Sequence, residues 1–538
     1  MSDTPTHTHA VTPTELTLSA PSRRHERSLK EVARGEVRFG RHDRMLYSTD
    51  ASIYQVEPMG VVIPADLEDL ARVVRYCAEH GVPMLPRGGG TSLAGQCVNR
   101  AVVIDLSAGC TRLLRVDAER CACEVEAGIT IDDLNDRLRA LGQRLFFAPD
   151  PATARQCNIG GAIGNNAAGT RSIRYGRTAE SLIGVDAMLA DGSTAELSAG
   201  SAVRDSAARR LATGVIEIVR RHERLIRERF PKTLRRNAGY ALDMMLADVD
   251  RTLGSGRDPL EVINLAHLVC GSEGTLAFTQ RATLGLHPTP VARGLGVIGF
   301  ASLDEAIEAV VPLLELKPSA VELLDDMVIG LARKNLECAP FVELMPQPRE
   351  GMLAAVLYVE FSAERDAGEI EERFGALRRM VQGVNNRASL ACLSDPVEVT
   401  NALRLRKAGE PLLHGIPGSR KPLGFVEDNA VPVGRLSEFV RAFRRIVESK
   451  GTRAAFYAHA SVGVLHVRPL LDLRDADDRR RMEEIAVEVA DLAASLGGVM
   501  SGEHGDGRAR GPLLERYFGP ELMGAFREVK ALFDPHNL

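Results

Sequence analysis

Residues 86–96 read PRGGGTSLAGQ, and the run of three glycines constrains the fold more than any other stretch of the chain. Without Cβ atoms, Gly88, Gly89 and Gly90 can take positive φ and bring backbone N–H groups close to an anion, while Thr91 and Ser92 add hydroxyl donors. A loop of this kind is suited to a phosphate; its alternative is an ordinary glycine-rich turn. Two more clusters bear on that choice, NIGGAIGNNAAGTRSIRYGRT over 158–178 and GSEGTL over 271–276. The first holds too many small residues for a packed helix and suits backbone laid against a flat ligand. Each alone would pass for a tight turn. Three in one region point instead to one extended dinucleotide.

The elements around the loops alternate strand and helix. Asp66 is placed to cap a helix whose apolar face is Leu67, Leu70, Val73, Val74 and Cys77, with Gly81 at its end. VPMLPR then reads as a strand delivering the glycine loop, and AVVIDLS as the next strand. Thr130, answered by Asp133, caps a helix that turns Leu134, Leu138 and Leu141 inward before Gly142. After His287 the units become strand, Ser302-capped helix and strand, which predicts an antiparallel sheet covered on one face.

A chain of 538 residues exceeds one core and predicts two or more domains. With 45% hydrophobic and 26% charged residues and no apolar run long enough to span a bilayer, any membrane association is expected to be peripheral. The net charge of −5, without a basic stripe, argues against nucleic acid and for a small partner. The first twenty residues lack an apolar signal segment and read as a disordered tail. Nine cysteines, with no C-x-x-C pair, suit neither a disulfide framework nor an iron–sulfur ligand run, and a cytoplasmic location follows as the expectation.

In this order the three loops resemble the flavin-binding domain of the vanillyl-alcohol oxidase and p-cresol methylhydroxylase superfamily. The implied fold is α+β, a two-subdomain FAD-binding domain followed by an α+β substrate or cap domain with an antiparallel sheet. The expected division is a tail and helical lead-in over 1–52, the FAD-binding domain over 53–288, the cap domain over 289–500, and a segment over 501–538 that returns to the flavin. The resemblance implies FAD contacts at Pro86, Arg87, Gly88, Gly89, Gly90, Thr91, Ser92, Gly95 and Gln96, and at Pro149 and Asp150. It extends them to Gly160, Gly161, Gly164, Asn165, Asn166 and Gly169, and to Gly271, Glu273 and Gly274. Members that tether the flavin often use a His near the glycine loop; this loop has none, so the FAD is expected to be non-covalent.

YAHASVGVLHVRP and SGEHGDGRARG resemble the D-2-hydroxyacid dehydrogenase branch, which includes dehydrogenases of D-2-hydroxyglutarate and D-lactate and the glycolate oxidase flavin subunit. The resemblance makes His459, His466 and Glu503 ligands of a divalent metal, usually taken as zinc, and His504 the base. Two imidazoles and a carboxylate are a familiar catalytic donor set. Spacing of seven is not a helical pair and fits a strand, a bend at Gly463 and a return. Arg406 stands where relatives bind the substrate carboxylate, and Arg174 and Arg468 are further candidates.

Departures shape the expected substrate. The shorter D-2-hydroxyglutarate dehydrogenases carry a Lys before the aspartate of the motif that here reads FVEDNAVP, where this chain has Val426; Lys421 lies earlier. Relatives often have Asn where Arg468 stands. These changes resemble larger bacterial proteins that fuse the flavin module to an iron–sulfur module, many acting on D-2-hydroxyglutarate, which is therefore expected ahead of D-lactate and glycolate. FREVKALFDPHNL stops where relatives continue into a closing turn, so the expectation is a chain cut short of that turn and of any iron–sulfur module. The electron acceptor would be a quinone, an electron-transfer flavoprotein or an iron–sulfur centre, reached in the cytoplasm or at the inner membrane face. Two alternatives stay open, a flavin-binding relay subunit without turnover and the alkyl-transferring glycerone-phosphate branch, against which the metal triad argues.

Overall fold

The computed structural model describes residues 20–538, and most of the expected disordered tail lies outside the described residues. Strands Gly60–Ile63, Val102–Asp105 and Met84–Arg87 pair in parallel, and Glu36–Arg38 adds an antiparallel edge. The crossover is helix Leu67–Glu79, capped by the Asp66 carboxylate on the Asp69 N–H, with Leu70, Val73, Val74 and Cys77 buried. The strand Met84–Arg87 runs straight into the glycine loop.

A second sheet is antiparallel, in the order Leu113–Asp117, Ala122–Glu126, Phe278–Gly285, Leu182–Met188, Thr194–Ser198. Helix Ile131–Ala140 begins at the expected Thr130 cap, but Leu141 falls past its last turn and is 60% exposed rather than packed. The chain returns at its end: Leu522, Phe526, Val529 and Phe533 of helix Pro520–Phe533 share a core with Leu211 and Val215 of helix Ser206–Arg221.

The third sheet orders Ser389–Leu393, Ala292–Phe300, Ala355–Ala363, Ala320–Asp325, Ala454–His459, Val464–Leu471 and Lys421–Pro422, with Asn429–Ala430 also on Val464–Leu471, all antiparallel. One face packs under helices such as Leu303–Leu314 and Leu436–Ser449 through Leu323, Leu357, Val359 and Val467. The other face is also covered, unlike the expected one-sided arrangement, because its residues are apolar too: Leu324, Tyr358 and Ala455 lie under helices Asp326–Lys334 and Pro396–His414. Strand alternation puts Glu322, Glu360, His459, His466 and Arg468 on this second face, where the cover stops.

Candidate functional site

That uncovered part of the sheet closes one end of a cavity of about 910 Å³, whose other walls are the three glycine loops. The hairpin joining the two predicted metal histidines forms as expected. Strand Ala454–His459 ends at His459, one 3₁₀ turn leads to Gly463, and the return strand pairs Val464 with His459 and His466 with Tyr457. Gly463 has φ +71°, and a Cβ there would lie 2.0 Å from the Val431 carbonyl oxygen. Gly463→Ala is therefore expected to cost about 2 kcal/mol, read as a lowered Tm. An unchanged Tm would show that the bend tolerates a side chain.

His459 Nε2 stands 3.2 Å and His466 Nε2 3.4 Å from Glu503 Oε1. Donors held about 2.1 Å from one ion at tetrahedral angles are about 3.4 Å apart, so these two separations suit a divalent metal, while the described group whose ligand atoms all lie within 4.8 Å of one another is Asp428, His466, Glu503 and His504, without His459. Behind them lies a shell of charges that sequence reasoning missed. His459 Nδ1 faces Glu322 at 2.8 Å, an arrangement that leaves Nε2 as the lone-pair atom. Glu503 Oε2 pairs with the buried Arg235 Nη1 at 3.0 Å. Glu427, fully buried, lies 3.1 Å from His504 Nδ1 and 3.8 Å from His466 Nδ1. The signal for Glu322 was an acid inside the apolar strand AVELLD, which is tolerated only where a charge partner waits.

Burial disfavours charge on every one of these groups, and the partners decide the outcome. For His459 the Glu322 carboxylate outweighs burial and raises the imidazole above its ordinary pKa. Burial, with His459 and His504 nearby, holds His466 below it. At His504 burial is overcome by Asp428 and Glu427, and the pKa rises to about 9. Burial is likewise overcome at Glu503 by Arg235 and His459, which hold it well below the carboxylate range, and at Glu427 by Arg468 and His504. Asp428 also lies within ligating distance of His466, Glu503 and His504. Its oxygens accept from Ser501 Oγ at 2.6 Å and the His504 N–H at 2.8 Å, so it organises the turn that carries Glu503.

The arginines named from the sequence have carboxylate partners that the sequence did not disclose, and two of the three line the cavity. Arg406 lines the cavity, but its Nε and Nη2 donate to Glu322 at 2.9 and 2.7 Å. Arg468 also lines it and pairs with Glu427 at 3.1 Å, so its charge is balanced from within. Arg174 pairs with Glu364 and is not among the cavity residues; Arg171 is, bound to Asp150 at 2.7 Å and Glu360 at 2.6 Å.

Of the proposed flavin contacts, Pro86, Arg87, Gly88, Gly89, Gly90, Thr91, Ser92, Gln96, Asp150, Gly160, Gly161, Gly164, Asn165, Gly169, Glu273 and Gly274 line the cavity. Gly95, Pro149, Asn166 and Gly271 do not. The Gly89 N–H, expected to face an anion, donates instead to Asn158 Oδ1 at 2.7 Å and ties the first loop to the second. Arg87 braces the loop through the Tyr47, Thr49 and Cys97 carbonyls. The second cluster contains a short helix, Ile159–Gly164, contrary to expectation: Ile159, Ala162 and Ile163 anchor it, and its glycines face the cavity. A Cβ on Gly161 would meet nothing within 4 Å, and Gln96 Oε1 is buried without a hydrogen-bond partner among the described residues. Open space against bare backbone, with an orphaned acceptor beside it, fits a large flat cofactor such as FAD.

The domain matches place the chain in the FAD linked oxidase family: residues 58–198 match the FAD binding domain and 289–538 the C-terminal domain of FAD linked oxidases. Among relatives, it is 33% identical over 518 residues to a D-2-hydroxyglutarate dehydrogenase of Pantoea ananatis, covering 94% of this chain and 49% of that protein. A D-lactate dehydrogenase of Archaeoglobus fulgidus is 27% identical, with 89% of each chain covered. The chain thus spans about half the length of the D-2-hydroxyglutarate dehydrogenases it matches. A substrate-bound crystal structure of p-cresol methylhydroxylase shares the fold, with TM-score 0.66 at 14% identity over 98% of this chain and 97% of that one. Among the described residues no helix is long and apolar enough to cross a membrane.

Proposed function

We propose that the chain is the catalytic flavin module of a D-2-hydroxyacid dehydrogenase, with D-2-hydroxyglutarate preferred over D-lactate and glycolate. In this reading 53–288 is the flavin-binding domain, 289–500 the cap domain and 501–538 the returning segment. The observation that carries it is the approach of His459 and His466 to one oxygen of Glu503 in the same cavity that the glycine loops line. The similarity to D-2-hydroxyglutarate dehydrogenases supports the substrate class.

His459, His466 and Glu503 would hold zinc, and the three loops would hold FAD non-covalently, its pyrophosphate at the loop of Gly88, Gly90, Thr91 and Ser92 whose Gly89 N–H is already taken by Asn158. When bound, FAD accepts a hydride from C2 of the substrate and the metal polarises the C2 hydroxyl. Arg406 orients the substrate carboxylate from the cavity wall, positioned by its own bond to Glu322. His504 takes the hydroxyl proton at Nε2, while Glu427 keeps Nδ1 as the protonated nitrogen. The products are the 2-oxo acid, reduced FAD and a proton on His504. The electrons then pass to an acceptor of the quinone, flavoprotein or iron–sulfur kind, with the protein in the cytoplasm.

The test is anaerobic bleaching of the flavin spectrum by a panel of D- and L-2-hydroxy acids. D-2-hydroxyglutarate is expected to bleach fastest. Bleaching by L-acids alone would sink the stereochemistry, and a D-lactate rate far above that of D-2-hydroxyglutarate would reverse the substrate order. The half-length match to the D-2-hydroxyglutarate dehydrogenases keeps a second reading in view, a flavin relay without turnover. It predicts a yellow protein that no 2-hydroxy acid bleaches even with added zinc.

The base also predicts a pH dependence. His504 accepts a proton only when deprotonated, and the Asp428 and Glu427 carboxylates favour its charged form, so they push the rising limb of kcat/KM toward higher pH. Glu427→Gln removes one carboxylate that favours the charged imidazole, so the limb is expected to move to lower pH. A limb that stays put, or moves up, would remove Glu427 from this role.

A further inference from the structure

The loops that line the flavin cavity also touch the turn 501–507, which carries Glu503 and His504. Gln96, from the first loop, donates to the His504 carbonyl at 2.7 Å, and Asn165, from the second, donates to the same oxygen at 3.1 Å. Glu273, from the third, accepts the Asp506 N–H at 2.5 Å and the Gly507 N–H at 3.0 Å. Asn237 bridges them. Its Nδ2 donates to the Asn165 carbonyl and to the Glu503 carbonyl at 3.2 Å, and its N–H donates to the Ser501 carbonyl at 2.9 Å.

The contact leaves no slack. A Cβ on Gly505 would lie 2.3 Å from Glu273 Oε1 and 2.7 Å from Gln96 Nε2. Asn166, Glu273 and Asp428, three of the six non-glycine residues at positive φ among the described residues, all belong to the segments that meet here. Strained backbone of this kind persists only where its surroundings hold it, so a ligand that seats the loops also seats the turn.

We infer that FAD and the divalent metal bind cooperatively, each tightening the other, and that Gln96, Asn165, Glu273 and Asn237 are the positioning residues that transmit the effect. The inference rests on the reading that FAD fills the cavity and zinc sits on His459, His466 and Glu503. Linkage requires the two enhancements to be equal, and coupling energies of this type amount to about tenfold in affinity.

The experiment titrates deflavinated protein with FAD, following flavin fluorescence, in EDTA and in saturating Zn²⁺. A matching Zn²⁺ titration is run with and without FAD. Wild type is expected to give a ratio of about ten for both ligands, and Asn237→Ala a ratio near one. Gln96→Met, which removes the donor to the His504 carbonyl, is the second variant should Asn237→Ala fail to fold, and its ratio is expected to fall likewise. A residue that only contacted flavin would weaken FAD equally with and without zinc and leave the ratio unchanged. A ratio of one in wild type, or an unchanged ratio in the folded variants, overturns the coupling while FAD and zinc still bind. Failure of wild type to bind zinc overturns the metal reading and the coupling with it.

Discussion

Replacing His504 by Gln is expected to slow reduction of the bound flavin by D-2-hydroxyglutarate by about 10²- to 10⁴-fold, the range for losing a general base. The argument is one of geometry first. His504 is 20% exposed and lines the cavity, its Nδ1 is 3.1 Å from Glu427, and its ring stacks on His466 at 5.1 Å and 24°. Its Nε2 lies 3.9 Å from Glu503 Oε1, beside the place where the proposed metal donors converge. A proton leaving a hydroxyl held there would have the imidazole within reach. Glutamine keeps much of the side chain's bulk and hydrogen bonding but accepts no proton. FAD content and zinc content of the variant are measured alongside, since the His504 imidazole lies among the close-set donors Asp428, His466 and Glu503. Stopped-flow reduction within tenfold of wild type, with both ligands bound, would show that another group takes the proton.

What the sequence disclosed and what it hid follow a physical rule. Backbone requirements were partly legible: the Asp66 and Ser302 caps and the Gly463 bend depend on local chemistry and formed at their predicted places, whereas the second glycine cluster folded in part into helix Ile159–Gly164. Leu141 failed because helix ends shift by a residue or two, and one residue past the end turns a side chain to solvent. The charge partners were hidden because they meet across the chain. Glu322 and His459 are 137 positions apart, and Arg235 reaches Glu503 from a loop that no motif marks. The same blindness affected the arginines: Arg406 and Arg468 attract attention as cations, and only the fold reveals Glu322 and Glu427 beside them. Asn237 carries no signal in the sequence, because its importance comes from standing where two loops and a turn cross.

Glu503→Gln is expected to abolish stoichiometric zinc binding and slow flavin reduction by on the order of 10³-fold, as several kcal/mol of charge stabilisation at the substrate hydroxyl are lost. One carboxylate serves both histidines through Oε1 and Arg235 through Oε2, so the substitution acts on two balances at once. On the cavity side the donor set loses its only negative charge among the three proposed ligands. On the far side Arg235, 1% exposed and anchored by Ser172 Oγ at 2.7 Å and the Gly169 carbonyl, is left without that counter-charge. Breaking one side of a buried pair costs about 3–5 kcal/mol, so Tm falls as well. The two consequences separate in the double variant Arg235→Met, Glu503→Gln, which removes the stranded guanidinium. Tm should recover much of its loss, while zinc content and flavin reduction stay at the level of the single variant. Recovery of zinc binding together with Tm would mean that Glu503 serves the fold through Arg235 and is not a ligand. Zinc retained in the single variant would pass that role to the histidines with Asp428.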